Sequence, residues 1–327
     1  VTRRVVAAWV RVLACLAFPA GSLSAQAPER LAGETYRSLA GARADIHFAR
    51  EDSLLAVRLL ELVDGQPPLP GLPPDVPADV DVVVTHGVAA FDELLGGAVP
   101  EWRAGVALPA ENLMVIPAGE GPSVVEGAGR QTLRHEWAHL GLHGYLGDLR
   151  VPRWFDEGYA QWASGGFDTS EAWRLRVLLA FDRAPSMDSL SLRWPAELGR
   201  ARVAYLLSAS AVAYLVEASG ERGLAVFLAR WREERSFDQA LWLTYGVTPG
   251  QFEEDWKAYV RDRYGWLVVL SHSSVFWLIL TLILLALVAI RRRRNQEKLA
   301  RLRATEPPDD PDYWNEVERG PAPPSGG

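Results

Sequence analysis

An α+β fold is what the sequence predicts, and three observations predict it. Strand-like patterns crowd residues 40–120: "ADIHFAR" (44–50) alternates apolar and polar positions, and "DVVVTHG" (81–87) is a short β-branched run. From about residue 124 to residue 264 apolar residues recur at helical spacing instead. Strands first and helices after is the order of an α+β domain, not of alternating βαβ units.

Taken in order, "VTRRVVAAWVRVLACLAFPAGSLSAQAPER" (1–30) has the layout of a secretory signal. Arg3, Arg4 and Arg11 precede an apolar stretch, and Ala25-Gln26-Ala27 fits small-x-small cleavage, so residues 1–27 are expected to be a signal peptide. "VLAC" (12–15) loosely resembles a lipoprotein box, but Arg11 interrupts the run before Cys15. A permanent anchor would need a longer run than this one.

Residues 28–123 form the strand-rich part. The strand at 44–50 leads to a helix in "EDSLLAVRLLELVDG", stopped at Gly65. "QPPLPGLPPDVPADV" reads as a proline-rich connector. The strand at 81–87 runs into a short helix in "VAAFDELLGG", and "RAGVALPAENLMVIPAG" gives two strands with a turn near Pro109–Glu111. In the helical part, 124–265, helices are expected at 124–144, 155–164, 170–181, 200–219, 221–234, 236–245 and 249–264.

"WLVVLSHSSVFWLILTLILLALVAI" (266–290) carries no Asp, Glu, Lys or Arg and is long enough to cross a bilayer. "RRRRNQEKLARLR" follows at once, the flank of a stop-transfer segment facing the cytoplasm, whereas a buried core helix would need no such flank. The expected topology is a single-pass protein of a bacterial cell membrane, with residues 28–265 outside the cytoplasm. Residues 291–327 would be a cytoplasmic tail, basic at first and then rich in Pro, Gly and acid, as disordered segments are.

A formal charge of −7 offers no general basic surface, so nucleic acid is not an expected partner. Cys15 is the only cysteine and lies inside the signal. A mature chain without thiols must hold any metal through His, Asp or Glu.

Such residues gather in "TLRHEWAHLGLHGYLGDLRVPRWFDEGYAQW" (132–162). In a helix four residues turn the chain by about 400°, so His135 and His139 share a face one turn apart. Two imidazoles so placed can bind one Zn²⁺, with Glu136 beside them to take a proton from a water on the metal. Apolar Leu133, Trp137, Ala138, Leu140 and Leu142 surround the pair, and buried imidazoles need partners. His143 continues the series, but each turn rises about 5.4 Å and one ion cannot comfortably join the outer two rings. It is expected at the surface or behind a ligand. Glu157 is the better third ligand, far enough on for the helix to end, a loop to turn at Gly144–Pro152, and a second helix to return. The bland alternative is an acid at a helix start, favoured by the dipole. Gly158 would let that helix come close beside the metal.

"HEWAH" (135–139) followed by "PRWFDEGYAQW" (152–162) resembles the gluzincin metallopeptidases, most closely their bacterial peptidase-MA-like group. Those enzymes carry HExxH and, after a loop, Trp-x-x-Glu-Gly-x-Ala. The resemblance implies a thermolysin-like catalytic domain, His135, His139 and Glu157 as zinc ligands, Glu136 as general base, and a peptide or protein substrate. Aminopeptidases of the clan grip a free amine with Gly-x-Met-Glu-Asn on an edge strand. Here "GVALPAENL" (105–113) keeps only Glu111-Asn112, which argues for an endopeptidase. Thermolysin-type enzymes place an Asp four residues past the third ligand to orient a histidine; this chain has Gln161, a neutral acceptor. An oxyanion donor is expected from Tyr205 or Tyr214, half a turn out of phase on one helix, and Tyr205 is preferred. The other reading is an anchored binding or scaffold protein that keeps the fold without turnover. An intramembrane protease would need the motif inside a span, and the expected span lies far downstream.

Overall fold

Val80–His86 is the strand around which the first half is built. A computed structural model describes residues 36–95, 105–119, 125–166, 185–195, 197–263 and 274–305. The expected signal segment and the helix at 170–181 lie outside the described residues. Five strands, β1 (Arg37–Ala40), β2 (Ala44–Phe48), β3 (Val80–His86), β4 (Val106–Leu108) and β5 (Leu113–Ala118), form one sheet in the order β1-β2-β3-β5-β4. β2, β3 and β5 run parallel, while β1 and β4 pair antiparallel at the two edges. The lack of alternation in "DVVV" has a simple cause. Val80, Val82 and Val84 enter the main core with Ile46, Met114 and Ile116, while Val83 enters a second cluster with Phe91, Leu113 and Val115. A strand covered on both faces needs no polar side.

Helix α1 (Ser53–Asp64) buries Ala56, Leu59 and Val63, one stripe at helical spacing, against the first face. α2 (Gly87–Leu94) covers the second through Phe91. The turn expected near Pro109–Glu111 is a 3-10 turn, closed by Asn112 in the left-handed region (φ 50°).

Residues 66–78 are more than a connector. Leu69 and Leu72 are buried in the main core, and Tyr159 donates to the Pro70 carbonyl at 2.9 Å. Arg134 donates to Gln66 Oε1 and to the carbonyls of Pro67, Pro68 and Ala163. Leu69 also reaches so close to Gly141 that a Cβ there would stand 2.3 Å from its Cδ1.

The helical part holds α3 (Ala128–Leu146), α4 (Arg153–Ala163), α5 (Met187–Leu192), α6 (Leu198–Glu234), α7 (Phe237–Tyr245) and α8 (Pro249–Arg263). α3 does not stop at Gly144 as its sequence suggests. It runs to Leu146 and ends at Gly147, whose φ of 66° favours glycine and whose N–H donates to His143 O at 2.7 Å. α6 is broken at Gly220 (φ 71°, ψ 174°), so the two helices expected at 200–219 and 221–234 are both there, end to end. β1 and α5 are short elements that no periodicity in the sequence announces.

Among the described residues, Gly199–Glu234 is long and apolar enough to cross a membrane, yet 56% of its most apolar window is buried, as befits a core helix. Residues 1–265 and 266–327 are separate compact units. In the second, the described part of the expected span is a continuous helix, α9 (Ser274–Thr305). Large apolar side chains from Trp277 to Ile290 are exposed along it, and it continues through Arg291–Arg294 because no Pro or Gly interrupts it. The first part of the expected tail is therefore helical rather than irregular.

Candidate metal centre

α3 is buried along His135–Leu142, which is why its polar residues stand out. α4 packs beside it, and the contacts fix the direction: Asp156 meets His139 and His143, Glu157 lies near His135, and Ala163 meets Arg134. Numbers rise on one helix as they fall on the other, so the pair is antiparallel. An aromatic cluster seats the start of α4. Trp154 stacks on Phe252 at 5.7 Å between centroids, and Phe155 packs on Phe227, Trp231 and Phe237. Gly158 admits close approach, but to α6 rather than to the centre: a Cβ there would stand 2.5 Å from Ser208 O.

This packing brings three expected ligands together. Nε2 of His135 and Nε2 of His139 are 3.2 Å apart, and Glu157 Oε2 lies 3.8 and 3.6 Å from them. All three residues are buried, and they form the one His/Cys/Asp/Glu group among the described residues that could hold a metal ion. Ligand bonds of ~2.0–2.2 Å in a tetrahedron put donor atoms roughly 3.3–3.6 Å apart, close to what is found. Glu157 Oε2 makes no hydrogen bond, an expensive state for a buried carboxylate oxygen that a cation relieves. Two imidazoles, one carboxylate and no thiolate suit zinc.

The surroundings hold the donors ready. Burial works to raise Glu157, but the imidazoles of His135 and His139 outweigh it and keep the carboxyl below its ordinary value. Arg153 Nε stands 3.7 Å from Glu157 Oε1, and its guanidinium lies over the Trp194 ring. His139 Nδ1 is 2.7 Å from Asp156 Oδ1. With that N–H donated, the neutral ring presents its Nε2 lone pair to the centre. Burial would raise Asp156 too, but its contacts with His139 and His143 hold it well below the usual carboxylate range.

Glu136 is buried one residue round the helix, and its Oε2 accepts from the Ala107 N–H at 2.9 Å. That amide points away from β5, where Ala107 faces Met114, so the sheet's edge strand and the metal helix are tied at this atom. Tyr205 is buried with its ring 6.4 Å from that of His135 and 5.0 Å from Trp194. Tyr214 packs on Phe252 and Tyr259 instead, so of the two tyrosines only Tyr205 neighbours the centre.

Two expectations change. Gln161 orients no histidine: its amide nitrogen donates to Gly166 O, and its oxygen makes no hydrogen bond. Asp156 faces His139 from the other side of Glu157, a pairing that no spacing within one helix reveals. The residue nearest the aminopeptidase pattern, Asn112, uses its amide on the carbonyls of Ala78 and Asp79.

Residues 80–262, more than half of the chain, match the family model described as the Peptidase MA superfamily. No curated protein sequence matches the chain. Similar solved structures include a glutamate-to-alanine mutant of a two-domain M1 zinc metallopeptidase bound to L-tryptophan (14% identity, TM-score 0.35). Another is an M1 zinc metallopeptidase mutant from Deinococcus radiodurans bound to a Tyr-Ser-Ala substrate (14% identity, TM-score 0.33). Each match covers 68% of this chain and 51% of the other, so the chain spans about half the length of these structures.

Proposed function

The chain belongs to the Peptidase MA superfamily, and from that premise we propose that it is a zinc-dependent endopeptidase anchored in a membrane by α9. The observation that carries the catalytic reading is the convergence of His135 Nε2, His139 Nε2 and Glu157 Oε2 in a buried centre with Glu136 alongside.

Zinc bound to these three residues would lower the pKa of a water toward about 7 and polarise the scissile carbonyl. Glu136 takes the proton of the attacking water and delivers it to the leaving amine. The Ala107 N–H holds one oxygen of that carboxylate and fixes its direction. Tyr205 donates to the carbonyl oxygen as it gains charge, a role supported by its place beside His135.

Endopeptidase action is supported by the stretch 105–113, which lacks the Gly-x-Met lead before Glu111-Asn112 that the aminopeptidase pattern carries, and in which the Asn112 amide is committed to the fold. Membrane anchoring is supported by the exposed apolar side chains of α9 up to Ile290, and an outward-facing catalytic unit by the four arginines that follow. In the decisive comparison, Glu136→Gln keeps stoichiometric zinc and loses peptide hydrolysis, whereas Glu157→Ala loses zinc. Wild-type protein that takes up no zinc on reconstitution refutes the reading. Blocking the amino terminus of a peptide substrate should leave cleavage intact; cleavage restricted to free amino termini would refute the endopeptidase part.

A further inference from the structure

Three histidines follow one another at intervals of one turn on α3, and only the first two face the metal centre. The third has its own partner. His143 Nε2 lies 3.1 Å from Asp156 Oδ2, while Asp156 Oδ1 lies 2.7 Å from His139 Nδ1. One carboxylate thus spans two rings a helical turn apart, each oxygen on its own imidazole. Asp156 precedes Glu157 directly, so α4 carries the third ligand and the bridge in adjacent positions. Both His143 and Asp156 are partly exposed, unlike the ligands.

We propose that His143 and Asp156 are positioning residues for zinc: His143 holds the carboxylate of Asp156, and Asp156 holds the ring of His139. A carboxylate gripped at one oxygen only could rotate about its Cβ–Cγ bond and release the Nδ1–H of His139. With Oδ2 fixed by His143, Oδ1 stays in place, the ring keeps its rotation and tautomer, and Nε2 remains a strong donor toward the centre. The series His135–His139–His143 then has a division of labour along one helix: two rings for the metal and a third for the group that orients the second. The inference rests on the zinc reading above.

The test is zinc affinity, measured by competition with a chromophoric chelator, together with the visible spectrum of the cobalt(II)-loaded protein. Loss of an outer partner of a metal ligand weakens metal binding by about 10–100-fold, and Asp156→Ala should fall in that range. His143→Ala should weaken zinc by roughly 3–10-fold and alter the cobalt bands, a partial share of that loss. His143→Gln, which restores one N–H donor at similar reach, should return affinity to within about twofold of wild type. In the Asp156→Ala background the further change His143→Ala should have no effect, because His143 acts only through Asp156. Should Asp156→Ala fail to fold, Asp156→Leu, close in bulk and without a hydrogen-bonding atom, replaces it in the cycle with the same expectation of non-additivity. Unchanged zinc affinity in folded His143→Ala, or fully additive losses in the double variant, overturns the proposal while leaving the zinc site standing. Wild-type protein without zinc binding removes the site itself.

Discussion

At Glu157 the side chain and its neighbour do opposite things with burial. Glu157 is held with a bare oxygen among two imidazoles, and the next residue, Gly158, has no side chain because α6 lies against it. A methyl at that glycine would press on the Ser208 backbone, which cannot swing away as a side-chain tip can. Gly158→Ala should therefore destabilise the fold by about 1–3 kcal/mol, the usual range for overpacking, read as a lowered Tm. Tyr205→Phe makes a contrasting prediction: the ring packing on Trp194 survives and only the hydroxyl goes. Hydrolysis should fall by about 10²–10³-fold with zinc content and Tm unchanged, as for loss of an oxyanion donor. At this scale the sequence was most informative where chemistry is local. His135, Glu136 and His139 share one helix, so their relation follows from helical geometry alone. Asp156 and Ala107 escaped notice because each acts on a residue of a different element, and their type says nothing of that partner.

Between elements, the antiparallel α3–α4 pair and edge strand β4 make the centre. β4 offers an N–H that the sheet does not use and Glu136 accepts, so its removal should touch the base and spare the ladder. Ala107→Pro removes that one donor at a position where an edge strand tolerates proline. Peptide hydrolysis should drop at least tenfold, the scale of one charge-assisted hydrogen bond of about 1.5–3 kcal/mol, with zinc stoichiometry retained. Equal activity in the folded variant would deny Ala107 its part. Periodicity located the long helices and the central strands well, since each carries a pattern longer than its errors. It missed β1, whose four residues are mostly exposed, and it ended α3 too early because a glycine inside a helix and one beyond it look alike.

For the whole molecule, the metal should contribute to stability as well as to chemistry. A ligand bound by the native state alone stabilises it by mass action. Chelation should lower the Tm of the wild-type protein by several degrees and leave Glu157→Ala unmoved; equal Tm with and without chelator in wild type would contradict a zinc site built from these residues. A chain ended after residue 265, at the boundary of the first compact unit, should leave the membrane fraction, whereas the longer chain stays with it. Membrane association by the shortened chain would refute anchoring through α9. The order of strands and helices was readable from the sequence. Sheet order was not, because β4 pairs with the following β5 while β5 pairs back to β3, and such pairings depend on contacts distant in the chain.

The proline-rich stretch between α1 and β3 has the composition of a hinge, but its place in the fold makes it a clasp. Leu69 is pressed against Gly141, Arg134 draws in Pro67 and Pro68, and Tyr159 fastens Pro70. A true hinge there would let the sheet and the metal helices rock against each other, and the short contact from β4 to Glu136 would open and close with the motion. The clasp removes that freedom. The place of Glu136 beside the metal centre is thus maintained by a segment that takes no part in the centre, and a flexible Gly-Ser replacement of residues 66–74 should slow turnover from a distance.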